Sequence, residues 1–130
     1  MKQVEEVFER YHRFDDGLIK SIEVTYGGSG SLSVDFIFYA RDHSATGNVW
    51  RNVIIRVGRV SEVMLSAQGG VISSISSSVK LLPFGDLWCV EVDGTYAYGD
   101  DPKTIEEIRK YGTCYAFGRD VEAIEISEPG

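Results

Sequence analysis

The spacing of the apolar residues changes at Gly17 from a helical period to a strand period. Before Gly17, four residues fall at i, i+3, i+4 and i+7 and so share one helix face; they are Val4, Val7, Phe8 and Tyr11. After it, apolar and polar residues alternate over most of the chain, which is typical of strands with one buried face. The pattern therefore predicts one amphipathic helix followed by a sheet, with Asp15-Asp16-Gly17 ending the helix.

Three alternating segments follow Gly17, and short polar connections join them. Residues 27–30, Gly-Gly-Ser-Gly, predict a hairpin turn between the first two strands. The residues predicted to share one strand face are Leu18, Ile22, Val24 and Tyr26 on the first strand, Leu32, Val34, Phe36, Phe38 and Ala40 on the second, and Val49, Val53, Ile55 and Val57 on the third. Short connections between neighbouring strands favour an antiparallel meander.

The rest of the chain predicts shorter elements. Residues 58–65 fit an irregular strand or a short helical turn. The later elements are a weak helix over 71–79, a strand over 87–93, a returning strand over 95–98, a helix over 102–111, and strands over 113–117 and 121–127. Asp101 is the predicted N-cap of the second helix, because aspartate favours that position. Gly112 is predicted to end this helix, and residues 118–120 to form the turn between the last two strands.

These elements predict a single α+β domain over residues 1–130. It is mainly an antiparallel sheet, half-barrel or sandwich of six to eight short strands, with an N-terminal helix and a short helix near residues 102–111. The length is that of one domain. A content of 43% hydrophobic and 25% charged residues excludes an intrinsically disordered chain. Two cysteines, Cys89 and Cys114, are too few for a disulfide framework, so free thiols are expected.

The charge of the chain is −7 and is concentrated in its second half. Residues 1–65 carry 8 Lys+Arg and 9 Asp+Glu, whereas residues 66–130 carry 5 and 11. A negative surface argues against binding to nucleic acid or to anionic membranes. The first residues contain carboxylates where a signal peptide would have its apolar core, and no stretch is long and apolar enough to span a membrane. We therefore expect a cytoplasmic protein.

Tyrosines accompany the carboxylates of the second half, and together they predict a surface that binds a basic protein. Tyrosine is enriched at interface hot spots, and charge complementarity guides association. The predicted contact residues are Asp93, Tyr96, Tyr98, Asp100, Asp101, Glu106, Glu107 and Tyr111. The alternative is that the acidity serves solubility alone, since a small soluble domain commonly carries a net charge of about 2–8.

The residues that could carry chemistry form no recognisable motif. His12 and His43 lack metal-ligand spacing, so neither a metal nor a cofactor is predicted. A hydrolase would need Asp15 or Asp16 within hydrogen-bond reach of one of these histidines. A different alternative is a small-ligand-binding half-barrel, whose pocket would be lined by Phe36, Phe38, Trp50 or Trp88.

Two segments carry a resemblance to a protein family. Phe14–Val24, with Asp15-Asp16 ahead of a Leu-Ile-x-x-Ile pattern, and Asn52–Val60 resemble a group of small bacterial β-rich proteins, some of which are grouped with the immunity proteins of polymorphic toxin systems. Asp15 stands where a histidine often occurs in that group. The resemblance implies a non-enzymatic protein that binds a toxin domain. It identifies no catalytic residue in this chain.

A homodimer is a further expectation. The strand Leu32–Ala40 is apolar, and at the edge of a sheet such a strand can pair with a second copy of itself.

Overall fold

The computed structural model describes residues 1–28, 30–66, 78–93 and 101–126. Its elements are α1 (Lys2–Arg10), a 3₁₀ turn (His12–Phe14), β1 (Leu18–Tyr26), β2 (Leu32–Arg41), β3 (Trp50–Leu65), β4 (Val79–Phe84), β5 (Leu87–Val92), α2 (Ile105–Tyr111) and β6 (Cys114–Ile126). The strands form one open antiparallel sheet in the order β1-β2-β3-β6-β5-β4. The predicted α+β class with a mainly antiparallel sheet is confirmed.

The first helix packs on one face of the sheet through the residues that its period predicts. Val4, Val7, Phe8 and Tyr11 are at most 6% exposed. They pack against the inward-facing side chains of the strands to form the α1 core, which includes Val34, Phe36, Phe38, Val53, Ile55, Val57, Val90 and Ala116. Apolar burial on this scale is the main stabilising contribution to such a domain.

The second helix packs on the opposite face, over β4, β5 and the beginning of β6. The resulting α2 core contains Leu82, Cys89, Ile108, Tyr115 and Phe117. Consecutive residues of one strand alternate between the two cores, since Cys89 belongs to the α2 core and Val90 to the α1 core. Both faces of this half of the sheet are therefore covered. The predicted free state of Cys89 and Cys114 is confirmed.

A bulge in β1 changes which residues face the core. The register shifts between Ile19 and Ser21, so that Ile19 pairs with Phe38 on the α1 face and Leu18 pairs with Tyr39 on the other face. The prediction that Leu18 shares a face with Ile22, Val24 and Tyr26 is therefore wrong. The extra residue of a bulge reverses the alternation locally, and the apolar pattern alone does not reveal it.

The last two predicted strands are one continuous strand, β6, so the predicted turn at 118–120 is wrong. Gly118 instead lies at a close approach of the paired strands β3 and β6, beside the register shift between Val60 and Glu62. A Cβ atom at Gly118 would lie 2.5 Å from the carbonyl oxygen of Gly58 and 2.6 Å from Cγ1 of Val57. Glycine is required here because β3 and β6 approach each other too closely for any side chain.

Two further predictions about local structure are corrected. Val79 lies in β4 rather than in a weak helix over 71–79. Residues 71–77 of that segment and the predicted strand over 95–98 lie outside the described residues. The N-cap of α2 is Thr104 rather than Asp101, because the Thr104 hydroxyl accepts a hydrogen bond of 3.1 Å from the backbone N–H of Glu107. Gly112 ends α2 as predicted.

The predicted edge position of β2 is also wrong, since β2 lies between β1 and β3. The edge strands are β1 and β4. No helix in the described ranges combines the length and the apolar character needed to cross a membrane.

Candidate functional site

One half of the sheet has a face that none of the described elements covers. This open face consists of the side chains of β1, β2, the first half of β3 and the second half of β6 that point away from α1. At its centre, Ile37, Ile54 and Ile124 are direct cross-strand neighbours. All three are half-buried, and none belongs to the α1 core or the α2 core. They form a third apolar group, which lies at the surface.

Aromatic side chains extend the open face toward the β2–β3 loop. The rings of Tyr39 and Trp50 are in contact, with centroids 5.5 Å apart. The indole Nε1–H of Trp50 donates a hydrogen bond of 2.9 Å to Asn48, which fixes its orientation. Ile126, cross-strand from Asn52, is 37% exposed and adds apolar area. Aromatic side chains with a polar tip are the type that protein interfaces favour.

A charged row borders the isoleucines on the side away from Trp50. Glu23, Asp35, Arg56 and Glu122 are successive cross-strand partners on β1, β2, β3 and β6. The Arg56 guanidinium donates to both oxygens of Asp35, at 2.8 and 3.0 Å, and this pairing raises the pKa of Arg56. The row contains three carboxylates and one guanidinium, so its net charge is negative. Glu23 and Glu122 are exposed.

The fold places arginines of the first half of the chain against carboxylates of the second half. Arg59 donates to both oxygens of Asp120, at 2.6 and 2.7 Å. Arg10 donates to Glu125 at 2.5 Å. Together with Asp101, which pairs with Lys80, three of the nine described carboxylates of the second half are therefore held in ion pairs.

The structure describes five of the eight predicted contact residues. Tyr96, Tyr98 and Asp100 lie outside the described residues. Asp93 accepts a hydrogen bond of 3.0 Å from the backbone N–H of Ser78. Asp101 forms an ion pair of 2.9 Å with Lys80. These two carboxylates thus contact the protein itself.

The other three predicted contact residues lie on α2, on the same side of the sheet as the open face. Glu106 is exposed, Glu107 is half-buried and Tyr111 is 43% exposed. The Lys110 ammonium lies 5.2 Å from the centre of the Tyr111 ring. Arg109 forms an ion pair of 2.7 Å with Glu62, so the surface of α2 carries charges of both signs.

The fold brings the two histidines of the chain into contact. The His12 and His43 rings are stacked, with centroids 3.5 Å apart and planes 3° from parallel. His12 belongs to the 3₁₀ turn and His43 to the β2–β3 loop, where its backbone N–H donates to the carbonyl of Arg10 at 2.9 Å. No sequence spacing signals this contact, because it depends on how α1 and the loop meet across the sheet.

A partly buried polar network adjoins the histidine pair. The Tyr11 hydroxyl donates to Glu125 at 2.7 Å, and burial together with that carboxylate raises the pKa of Tyr11. Asp42 is 5% exposed and accepts hydrogen bonds from Ser44 and Arg51. Burial raises the pKa of Asp42, but these hydrogen bonds outweigh it, so the pKa lies below its usual value. The bonds of Asp42 tie the beginning of the β2–β3 loop to Arg51 of β3.

The histidine pair stands between two clefts. The larger, about 500 Å³, is lined by Glu6, Glu9, Arg10, His12, His43 and Ser44. The smaller, about 260 Å³, is lined by His12, Asp15, Asp16, Arg41, His43 and Trp50. The smaller cleft thus contains the acids and histidines that a hydrolase would use. In the described part of the chain, however, no hydrogen bond joins Asp15 or Asp16 to either imidazole.

A third cleft, of about 490 Å³, lies between α1 and the edge strand β4. Trp88 and Phe8 line it. Of the other aromatic residues predicted for a ligand pocket, Phe36 and Phe38 are fully buried in the α1 core and Trp50 lies on the open face. The sheet therefore does not enclose a pocket around the predicted aromatic set.

The chain matches no protein-family model, no curated protein and no solved structure. Among the described residues, no group of three or more His, Cys, Asp or Glu side chains is placed to hold a metal ion. The fold and the surface define the class of this molecule: an α+β protein with an open antiparallel sheet, one half of which the described elements cover on only one face.

Proposed function

We propose that this is a cytoplasmic, non-enzymatic interaction protein that binds a basic protein partner through the open face. The observation that carries the proposal is the isoleucine group Ile37, Ile54 and Ile124, which lies outside both cores. Apolar side chains gathered at the surface and bordered by charge are typical of protein–protein interfaces.

The chemistry of the partner follows from the border of the open face. Glu23 and Glu122 present exposed carboxylates beside the isoleucines. A partner with an apolar centre and lysine or arginine side chains beside it would be complementary to this arrangement. The resemblance of Phe14–Val24 to proteins grouped with immunity proteins favours a bacterial toxin domain, whose basic substrate cleft the protein would block.

Co-expression with the product of the neighbouring gene, followed by pull-down and calorimetry, tests the proposal. Ile54→Arg places a positive charge at the centre of the open face, and we expect it to weaken binding at least tenfold. Glu122→Lys should slow association and reduce its dependence on salt, since it removes a steering charge at the border.

Tyr26→Arg is the matched control, because Tyr26 is 82% exposed and its side chain lies on the α1 side of the sheet. It should bind like the wild type. A partner that binds Ile54→Arg as tightly as wild type, or that Tyr26→Arg weakens equally, would contradict the assignment of the open face.

A second candidate function is small-ligand binding in the cleft beside Trp88. Its volume of about 490 Å³ lies within the range of ligand sites. Titration with small apolar and amphipathic compounds, followed by Trp88 emission in a Trp50→Phe variant, would support it if the signal saturates. A signal that Ile54→Arg also abolishes would instead point to the open face.

A further inference from the structure

The stacked rings of His12 and His43 join two segments that are distant in the chain. His12 lies in the 3₁₀ turn after α1, and His43 lies in the β2–β3 loop. We propose that this pair is an acid-sensitive latch, which holds the turn against the loop and releases it when both imidazoles carry a proton. The latch goes beyond the proposed function and does not depend on it.

The geometry of the pair predicts that the second protonation, and not the first, separates the two rings. An imidazolium stacked on a neutral imidazole is attracted to the face of that ring. Two imidazolium rings at a centroid distance of 3.5 Å repel each other, and their parallel faces leave no room for a carboxylate between them. The pair therefore tolerates one proton and separates on the second.

Charged groups of both signs surround the pair. In the described part of the chain, the carboxylates are Glu6 and Glu9 of α1, Asp15 and Asp16 of the turn before β1, and Asp42 of the loop, and the cations are Arg10, Arg41 and Arg51, the last of which is paired with Asp42. Both histidine side chains are exposed. Desolvation, the facing His12 and Arg41 lower the pKa of His43, and they outweigh Asp42, which raises it. The contact between the rings therefore opposes protonation of His43.

Release of the latch alters the smaller cleft. His12, His43 and Trp50 line that cleft together, so separation of the rings changes the surroundings of the indole. Trp50 also belongs to the open face. Acidification therefore changes one end of that face.

NMR titration of the imidazole Cε1–H signals tests the coupling directly, because the chain contains two histidines. In the wild type we expect two separate titration steps. In His12→Asn, which removes the ring but tolerates the left-handed backbone of this position, His43 should titrate in one step at higher pH. Coincident steps in the wild type, or a His43 titration that His12→Asn leaves unchanged, would overturn the proposal.

The fluorescence emission of Trp50 tests whether the turn and the β2–β3 loop separate. In a Trp88→Phe background, Trp50 is the only indole of the chain. Its emission maximum should shift over the second titration step, and His12→Asn or His43→Gln should abolish that shift. An emission maximum that stays constant through the second step would show that protonation leaves the cleft closed and would contradict the latch. Lys103→Gln, at an exposed site before α2, is the control variant and should behave like the wild type.

Discussion

The three residues of the 3₁₀ turn, none of them glycine, have left-handed backbone conformations. The φ angles are 49° at His12, 55° at Arg13 and 58° at Phe14. Such conformations are unfavourable for residues with a side chain, by roughly 1–2 kcal/mol each. Packing of Phe14 compensates, since its ring is fully buried and stacks on Phe38 with centroids 4.6 Å apart. The strained turn is what places the His12 ring on His43.

Relief of this strain at an exposed position should stabilise the protein. Arg13 is exposed, and glycine adopts a φ of 55° without a steric penalty. We expect Arg13→Gly to raise the free energy of unfolding by about 1 kcal/mol. Urea denaturation measures this change. Arg13→Ala removes the same charge without relieving the backbone, so an equal gain in both variants would refute the explanation.

The close approach of β3 and β6 at Gly118 should not tolerate any side chain at this position. Gly118→Ala would place Cβ against the backbone of Gly58, and we expect a loss of about 1–3 kcal/mol in the free energy of unfolding. A Cβ atom added at Gly28 would have no other atom within 4 Å. Thermal denaturation should therefore show Gly28→Ala close to the wild type and Gly118→Ala clearly less stable.

At the scale of elements, periodicity predicted α1 and β2 well because each has one face buried in a single core. It failed for β6, whose Gly118 looked like a turn signal, and for the position of β2, which depends on the order of strands in the sheet. The sequence did contain a signal for the open face. Ile37 and Ile54 are apolar residues on otherwise polar strand faces. The histidine contact had no such signal, since it arises from tertiary packing.

The loop that contains His43 should make stability depend on pH. The pKa of His43 is lower in the folded protein than its ordinary value of 6.5, so the unfolded chain binds the proton more tightly. The contribution of His43 to the free energy of unfolding is therefore complete above pH 6.5. It is lost as the pH falls through the lowered pKa that His43 has in the folded protein. Urea midpoints between pH 7.5 and 5 should decrease in the wild type and less steeply in His43→Gln. Equal slopes in both proteins would contradict this.

At the scale of the whole molecule, the fold redistributes a charge that the sequence concentrates in one half. Arg10 and Arg59 come from the first half and pair with Glu125 and Asp120 of β6. The pairing of β6 with β3 brings Asp120 to Arg59, and the packing of α1 on β6 brings Glu125 to Arg10. Charge counted along the chain therefore does not show which carboxylates are paired on the folded surface.

The two thiols should report on global unfolding. Burial raises the pKa of Cys114 to about 12, and it also raises the pKa of Cys89, which lies in the α2 core. The reactive thiolate is therefore scarce in the folded protein at pH 8. We expect an aromatic disulfide reagent to modify neither thiol under native conditions and both in urea. Rapid modification of one thiol in the native protein would indicate local opening of β5 or β6.

The place of β6 in the sheet has a consequence for how the protein is made. Synthesis delivers β1, β2 and β3 first and the β4–β5 hairpin next, yet these two groups share no strand pairing until β6 inserts between β3 and β5. The inner edges of both groups stay open while the ribosome completes the later residues. The sheet is therefore completed only once β6 has left the ribosome, and a chaperone would meet the chain in the interval before its sixth strand arrives.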